Sequence, residues 1–278
     1  FVFSTVQTMS KEDVFKSFND SHFDEIIIDE VHRAGADSYL RLMDYFKPTF
    51  YLGMTASPDR TDSFNIYELF NNNIVYEVRL KEAMENSLLC PFHYFGISDL
   101  EVDGKVIDEL SEFSNLVSNE RVEHIISKIN YYGYSGDRVK GLVFCSSKQE
   151  AKVLSEEFNT RGYNTTSLTG EDSQERREQE ISKLVANDGD MLDYIFTVDI
   201  FNEGVDIPEV NQVIMLRPTQ SSIIFIQQLG RGLRKSANKE FVVIIDFIAN
   251  YKNNFLIPVA LSGDNSYDKD TVRKFLSQ

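Results

Sequence analysis

The sequence predicts an α/β protein built from two parallel-sheet domains. Three observations carry that expectation. Short runs rich in Val, Ile and Phe alternate with segments of helical period, the pattern of strands joined by crossover helices. The runs are nearly continuously apolar, as parallel strands covered on both faces are. A chain of 278 residues with 42% hydrophobic side chains can fill two cores.

In the first part, strands are expected at residues 1–5, 24–30, 49–56 and 75–78. Residues 24–30 drive three isoleucines through a core and end in Asp29 and Glu30. Residues 49–56 run into Thr55-Ala56-Ser57-Pro58, small hydroxyl residues followed by a proline stop. From 81 to 136 the alternation breaks down, with Pro91, Gly96, Gly104, Gly133 and Gly136 as punctuation. The domain change is placed there, near Cys90-Pro91. In the second part, strands are expected at 141–145, 165–169, 194–198, 212–216 and 241–247. Val122, Ile125, Ile126 and Ile129 fall at i, i+3, i+4 and i+7, one buried helical stripe. Ser147 followed by Glu150 reads as a capping box, opening a helix with Ala151, Leu154 and Phe158 inward. Residues 223–233 should form another helix. The expected domains are therefore 1–90 and 91–257, with 258–278 opening a downstream region. The chain begins directly in Phe1-Val2-Phe3 without Met, so a fragment of a longer protein is expected, its first domain truncated at the N-terminus.

Net charge is −16, so a uniformly cationic nucleic-acid surface is excluded and any such contact must be local. Residues 210–239 contain no acid but hold Arg217, Arg231, Arg234, Lys235 and Lys239. On charge alone, a solvated cluster explains that stretch equally well. Cys90 and Cys145 lack metal-ligand spacing and fit reduced thiols in the cytoplasm. No apolar run approaches the length needed to cross a membrane, and no secretory signal is recognisable.

Four segments could carry chemistry. In a parallel sheet, ligands sit beyond the carboxyl ends of the strands. Asp29 and Glu30 emerge at such an end, and strand alternation would send their carboxylates apart. One could hold Mg²⁺ while the other orients or deprotonates an attacking water. Thr55 and Ser57 could relay the state of a neighbouring carboxylate. In the stretch 197–208, Gly204 permits close backbone approach to a ligand and Asp206 could accept from a ribose hydroxyl. Arg231 and Arg234 are three apart on the predicted helix and share a face with donors suited to phosphate oxygens. Taken singly, each segment also suits a plainer role: an acidic loop, a strand-ending turn, or arginines pairing with surface carboxylates.

Taken in order, the segments resemble the motifs of superfamily 2 helicases and translocases. Asp29-Glu30-Val31-His32 resembles the DExH box, and Thr55-Ala56-Ser57 the motif that follows it. Residues 197–208 are similar to motif V, and Gln227-x-x-Gly230-Arg231-x-x-Arg234 to motif VI. Ser4-Thr5-Val6-Gln7, residues 143–147 and Leu168-Thr169-Gly170 with Arg176-Arg177 resemble nucleic-acid-contacting motifs. Residues 29–96 further resemble the DEAD/DEAH-box proteins grouped with type III restriction and repair helicases. They do so through His32-Arg33-Ala34, Tyr45-Phe46-Lys47-Pro48, residues 55–62 and residues 88–96.

The resemblance implies two RecA-like domains and an ATP-hydrolysing DNA helicase or translocase. Asp29 would hold Mg²⁺ and Glu30 would activate water. His32 and Gln227 would couple nucleotide to strand, and Thr55 and Ser57 would transmit closure. Gly204 and Asp206 would lie near the nucleotide. Arg231 and Arg234 would act as arginine fingers, a role worth about 10³–10⁵ in rate. Thr5, Gln7, Ser146, Thr169 and Thr197 would contact the phosphate backbone. Partners would be nucleic acid, DNA ahead of RNA, and a nuclease domain or subunit of the same system; no membrane is expected. The phosphate loop Gly-x-x-x-x-Gly-Lys-Ser/Thr is not matched: at Gly104-Lys105, Asp99 stands where its first Gly belongs and Val106 where its Ser/Thr belongs. An RNA helicase, a remodelling ATPase and a non-catalytic binding module remain the alternatives.

Overall fold

The computed structural model describes residues 1–31, 35–55, 65–78, 80–98, 100–102, 105–106, 113–198, 207–216 and 233–247. The chain divides into two compact units, Phe1–Glu77 and Val78–Gln278.

In the first unit, α1 (Val6–Met9) and α2 (Glu12–Phe15) precede β1 (Glu25–Ile28), α3 (Asp37–Tyr45) and β2 (Phe50–Gly53). A 3-10 turn, Ile66–Phe70, follows. The two strands are parallel, with Ile26 opposite Tyr51 and Ile28 opposite Gly53. The run expected as a strand at 1–5 is not one. The Thr5 hydroxyl accepts from the Thr8 amide at 3.3 Å and caps α1 instead, local chemistry outcompeting an apolar run that has no neighbouring strand. Residues 75–78 also form no strand, and Val75 and Tyr76 are exposed. Phe15, Val31, Phe46 and Ile66 are buried, and the Phe15 and Tyr45 rings meet edge-on at 4.8 Å. Gly53 is required by close packing: a Cβ there would lie 2.6 Å from the Phe70 ring and 3.1 Å from Val31.

In the second unit, α4 (Leu80–Glu85), β3 (Phe92–Ile97), β4 (Glu101–Val102), β5 (Lys105–Val106) and α5 (Phe113–Leu116) lead into α6 (Asn119–Tyr132). Then come β6 (Gly141–Phe144), α7 (Lys148–Thr160), β7 (Thr165–Leu168), α8 (Gln174–Val185), β8 (Tyr194–Thr197), β9 (Gln212–Met215) and β10 (Val242–Phe247). Six strands form one parallel sheet in the order β3-β10-β9-β6-β8-β7.

Burial on both faces explains the continuous apolar runs. Leu142, Phe144, Ile195, Val213 and Ile244 pack on one face with Leu184 of α8. Val143, Phe196, Ile214 and Ile245 pack on the other, beneath Val122, Ile125 and Ile129 of α6 and Ala151, Leu154 and Phe158 of α7. The expected α6 stripe and α7 capping box are both present, with Ser147 accepting from the Glu150 amide. The irregular stretch hid β3. It is an edge strand, half-exposed, and it joins through the stack of Phe95 on Tyr132 of α6, with ring centroids 4.1 Å apart. The helix expected at 223–233 lies almost wholly outside the described residues.

Two cations close the C-terminal end of α8. Arg138 donates to the carbonyls of Leu184 (2.5 Å), Ala186 (3.0 Å) and Leu192 (2.8 Å), and Lys140 Nζ donates to Val185 O (2.7 Å). The Leu184, Val185 and Ala186 carbonyls lack helical partners and sit at the negative end of the helix dipole, while Leu192 lies in the loop before β8. Burial lowers the pKa of both groups, and Asp193 partly offsets this for Arg138.

Candidate functional site

In the first unit, β1 ends at Ile28 and the two carboxylates lie in the turn beyond it. Strand alternation therefore does not separate them, contrary to the sequence expectation. The turn does: Glu30 has φ 49, a left-handed conformation for a non-glycine residue. Asp29 Oδ1 accepts from the Glu30 amide at 2.9 Å. Such a backbone costs about 1–2 kcal/mol and persists where surrounding contacts over-determine it. Those contacts are visible. The Met54 amide donates to Ile28 O and the Val31 amide donates to Met54 O, both at 2.9 Å. The acidic turn is thereby stitched to the segment carrying Thr55.

Asp29 is exposed and Glu30 half-buried. Among the described residues no group of three or more His, Cys, Asp or Glu could hold a metal by itself. A single exposed carboxylate still fits Mg²⁺, which commonly takes one or two carboxylates and fills its shell with water and substrate phosphates. His32 and Ser57 lie outside the described residues. Thr5 and Gln7 are exposed at α1, and the Thr5 hydroxyl also donates to Thr8 Oγ1 at 3.0 Å.

In the second unit, the expected strand-contacting residues converge on one edge of the sheet. Phe144, Thr197 and Leu168 are register partners across β6, β8 and β7. Thr169 follows β7 directly, and Ser146 follows β6 after Cys145. With neighbouring strands about 4.8 Å apart, they flank Thr197 roughly 10 Å from each other.

Both turns satisfy their own amides. The Ser146 amide donates to Glu150 Oε2 at 2.7 Å, and the Thr169 amide donates to Asp172 Oδ2 at 2.7 Å. At Ser146 and Thr169 a phosphate would therefore meet the side-chain hydroxyls rather than these two amides. The Thr169 hydroxyl already donates to Asp172 at 3.2 Å. Arg177 Nη2 donates to Gly170 O at 2.9 Å and pins the same turn. Thr197 differs from its neighbours. It is 0% exposed, and its hydroxyl finds no hydrogen-bond partner. Its side chain offers no surface for direct phosphate contact in this conformation.

A groove of about 530 Å³ beside Thr169 is lined by Lys148, Lys152, Glu171, Asp172 and Arg176 among others. With Glu156 also in the lining, three acids match its three cations, and Lys148–Glu171 and Arg176–Asp172 are paired directly. The acid-free stretch is likewise less basic at the surface than it reads. Lys239 is buried and its ammonium donates to Pro208 O and to Val210 O (2.9 Å), while Arg234 and Lys235 are exposed. Leu233 is buried and its carbonyl accepts from the Cys90 amide at 2.6 Å, fixing the backbone just before Arg234. Burial raises the Cys90 thiol pKa, against the pull of Lys239 and Lys235, which suits a core thiol and not a reactive one. Gly204, Asp206, Arg217, Gln227 and Arg231 lie outside the described residues.

Sequence reasoning missed Glu150 and Asp172 as supports of the strand-end turns. Their spacing, Ser146-x-x-x-Glu150 and Thr169-x-x-Asp172, was the available signal. It missed Arg121 altogether.

Comparison with known proteins bears on both units. Residues 1–60 match the family described as type III restriction enzyme, res subunit, and residues 120–236 match the helicase conserved C-terminal domain. IRC3 of Saccharomyces cerevisiae, provisionally named an ATP-dependent helicase, is 27% identical over 89% of this chain and 37% of its own length. The type I restriction enzyme EcoAI endonuclease subunit of Escherichia coli is 26% identical over 84% of this chain and 32% of its own length. Among solved structures, the ATP-dependent type ISP restriction-modification enzyme LlaBIII bound to DNA shares the fold. Its TM-score is 0.69 at 18% identity, covering 94% of this chain and 21% of that one. The chain spans less than half the length of each of these proteins. No helix of the described residues is long and apolar enough to cross a membrane.

Proposed function

We propose that this chain is part of a superfamily 2 helicase related to type III restriction enzymes, as the matches to both units support, and that the intact protein couples ATP hydrolysis to movement along nucleic acid. The observation that carries the reading is the acidic turn after β1, where Asp29 bonds the Glu30 amide and Glu30 is held left-handed. Strain at a strand end, maintained by hydrogen bonds to the neighbouring segment, is what a positioned reacting group requires.

In this reading Asp29 is the protein's ligand to Mg²⁺, which when bound neutralises charge on the phosphate oxygens. Glu30 orients and deprotonates the attacking water. His32, Thr55, Ser57 and Gln227 transmit nucleotide state. Gly204 and Asp206 approach the nucleotide, and Arg231 and Arg234 donate to the phosphates. Thr5, Gln7, Ser146 and Thr169 meet the strand. Thr197 is better placed beneath that surface, supporting it.

The domain division proposed is 1–90 and 91–257, with 258–278 leading onward. We favour DNA over RNA, and a nuclease domain or subunit in the same system, because restriction enzymes recur among the similar proteins. Two buried cysteines, neither in a disulfide, suit the cytoplasm.

The test uses the intact protein. Glu30→Gln should reduce nucleic-acid-stimulated ATP hydrolysis by about 10²-fold or more while nucleotide still binds. Unchanged turnover refutes the role. Comparing stimulation by DNA and by RNA of the same sequence decides the polymer.

A further inference from the structure

The first turns of α6 and α7 meet over a buried ion pair. Arg121 Nη1 lies 2.9 Å from Glu150 Oε1, and the two side chains are 1% and 0% exposed. The same nitrogen donates to Leu116 O at 2.7 Å. Ser118 caps α6 by accepting from the Arg121 amide at 3.3 Å, so the arginine's backbone is fixed as well. Glu150 closes the other side: its amide donates to Ser147 Oγ at 3.1 Å and its Oε2 accepts from the Ser146 amide at 2.7 Å.

Two features set this pair apart from an ordinary stabilising contact. A buried ion pair seldom adds stability over an apolar pair of the same volume, because both ions lose their hydration. A capping-box glutamate ordinarily bonds the amide of the N-cap residue itself. Here Ser147 is the N-cap, and the carboxylate reaches one residue further back, to Ser146. An apolar pair could fill the space, but it could not hold that amide.

We propose that Arg121 and Glu150 are positioning residues for Ser146. They fix the β6–α7 turn and occupy its amide, so that the hydroxyl is what Ser146 presents to a phosphate of the bound strand. Arg121 also neutralises Glu150, whose charge would otherwise repel that phosphate. The inference rests on the reading that Ser146 meets the strand, and the test separates the two.

The experiment measures affinity of the intact protein for a fluorescent single-stranded DNA 20-mer at fixed salt, alongside its melting temperature. Ser146→Ala should weaken binding about 10-fold or more, the worth of one hydrogen bond to a charged group. Glu150→Gln has nearly the same volume, but Arg121 and the Ser146 amide are held by different oxygens, and in glutamine one of those two positions becomes an NH2 that faces a donor. It should weaken binding by a similar factor even though it removes a negative charge near a polyanion. The double variant should bind no more weakly than Ser146→Ala alone, because Glu150 acts through Ser146.

If Ser146→Ala weakens binding while Glu150→Gln leaves it unchanged or tighter, the positioning role is overturned and the strand reading survives. Additive losses in the double variant overturn it too, since a general loss of structure would not depend on the hydroxyl. An unaltered Ser146→Ala overturns the strand reading itself. Should Glu150→Gln not fold, Arg121→Lys replaces it, keeping the charge but losing the planar, rigid guanidinium whose Nη1 bonds both Leu116 O and Glu150. It must show the same non-additive weakening, and additive or absent weakening overturns the proposal.

Discussion

Asp246→Asn should remove a specific pH dependence from the stability of the second unit. Asp246 lies on β10, 5% exposed, and its Oδ2 accepts from the Tyr94 hydroxyl at 2.7 Å. Burial pushes its pKa from 3.8 to about 6, against the opposing hydrogen bond from Tyr94. The same contact raises the Tyr94 phenol, chiefly through burial. At about 1.4 kcal/mol per unit of pKa, the Asp246 displacement corresponds to about 3 kcal/mol. The sign follows from proton uptake. Between 3.8 and about 6 the folded state holds more protons at this site than the unfolded state. The associated stability is therefore fully present below the unfolded pKa and is lost as pH rises through the folded one. Between pH 7.5 and 5 the wild type should gain about 1.4 kcal/mol relative to Asp246→Asn. Urea titrations of both proteins at several pH values measure this difference, and other groups cancel in the comparison. The asparagine amide introduces a donor that needs a partner, so the absolute offset is not diagnostic; the slope is. A difference that stays flat from pH 7.5 to 5, or runs the other way, refutes the reasoning.

Arg138→Met should destabilise the second unit by about 2–4 kcal/mol, since it leaves several carbonyls at the end of α8 without their charged donor; a fall in denaturation midpoint of that size checks it. Glu30→Gly should abolish hydrolysis yet hold or raise stability by up to about 1 kcal/mol, because glycine accepts the left-handed backbone at little cost. A clear drop in melting temperature would count against strain at that turn. Gly141→Ala should cost about 1–3 kcal/mol, because its Cβ would lie 2.1 Å from the Tyr194 ring, which is buried and tied by its hydroxyl to Gln212. Near-native stability would mean that this ring moves freely.

Where apolar period alone decided the outcome, the sequence was readable. The α6 stripe and five strands of the central sheet follow from burial on one or both faces. β3 was not readable, because an edge strand tolerates His93 and Gly96 at its exposed positions. Residues 1–5 misled in the opposite direction, since Phe and Val suit a strand only where a neighbour is present to pair. At the candidate site, the acidic pair was legible from where an apolar run ends, and Ser146 and Thr169 from their resemblance to helicase motifs. The conformations that matter were not. Glu30's left-handed φ depends on hydrogen bonds to a second strand, and Arg121 meets a glutamate 29 residues away. Lys239 read as surface charge because composition does not reveal which ammonium will be caught by two carbonyls.

Main-chain amides cannot be mutated away, but hydroxyls can. Since carboxylates already occupy the amides of Ser146 and Thr169, what these two residues could offer a polyanion lies in their replaceable side chains. A single codon change can retune it without touching the sheet beneath. Relatives sharing this architecture are then free to drift in how firmly they grip while keeping the same shape.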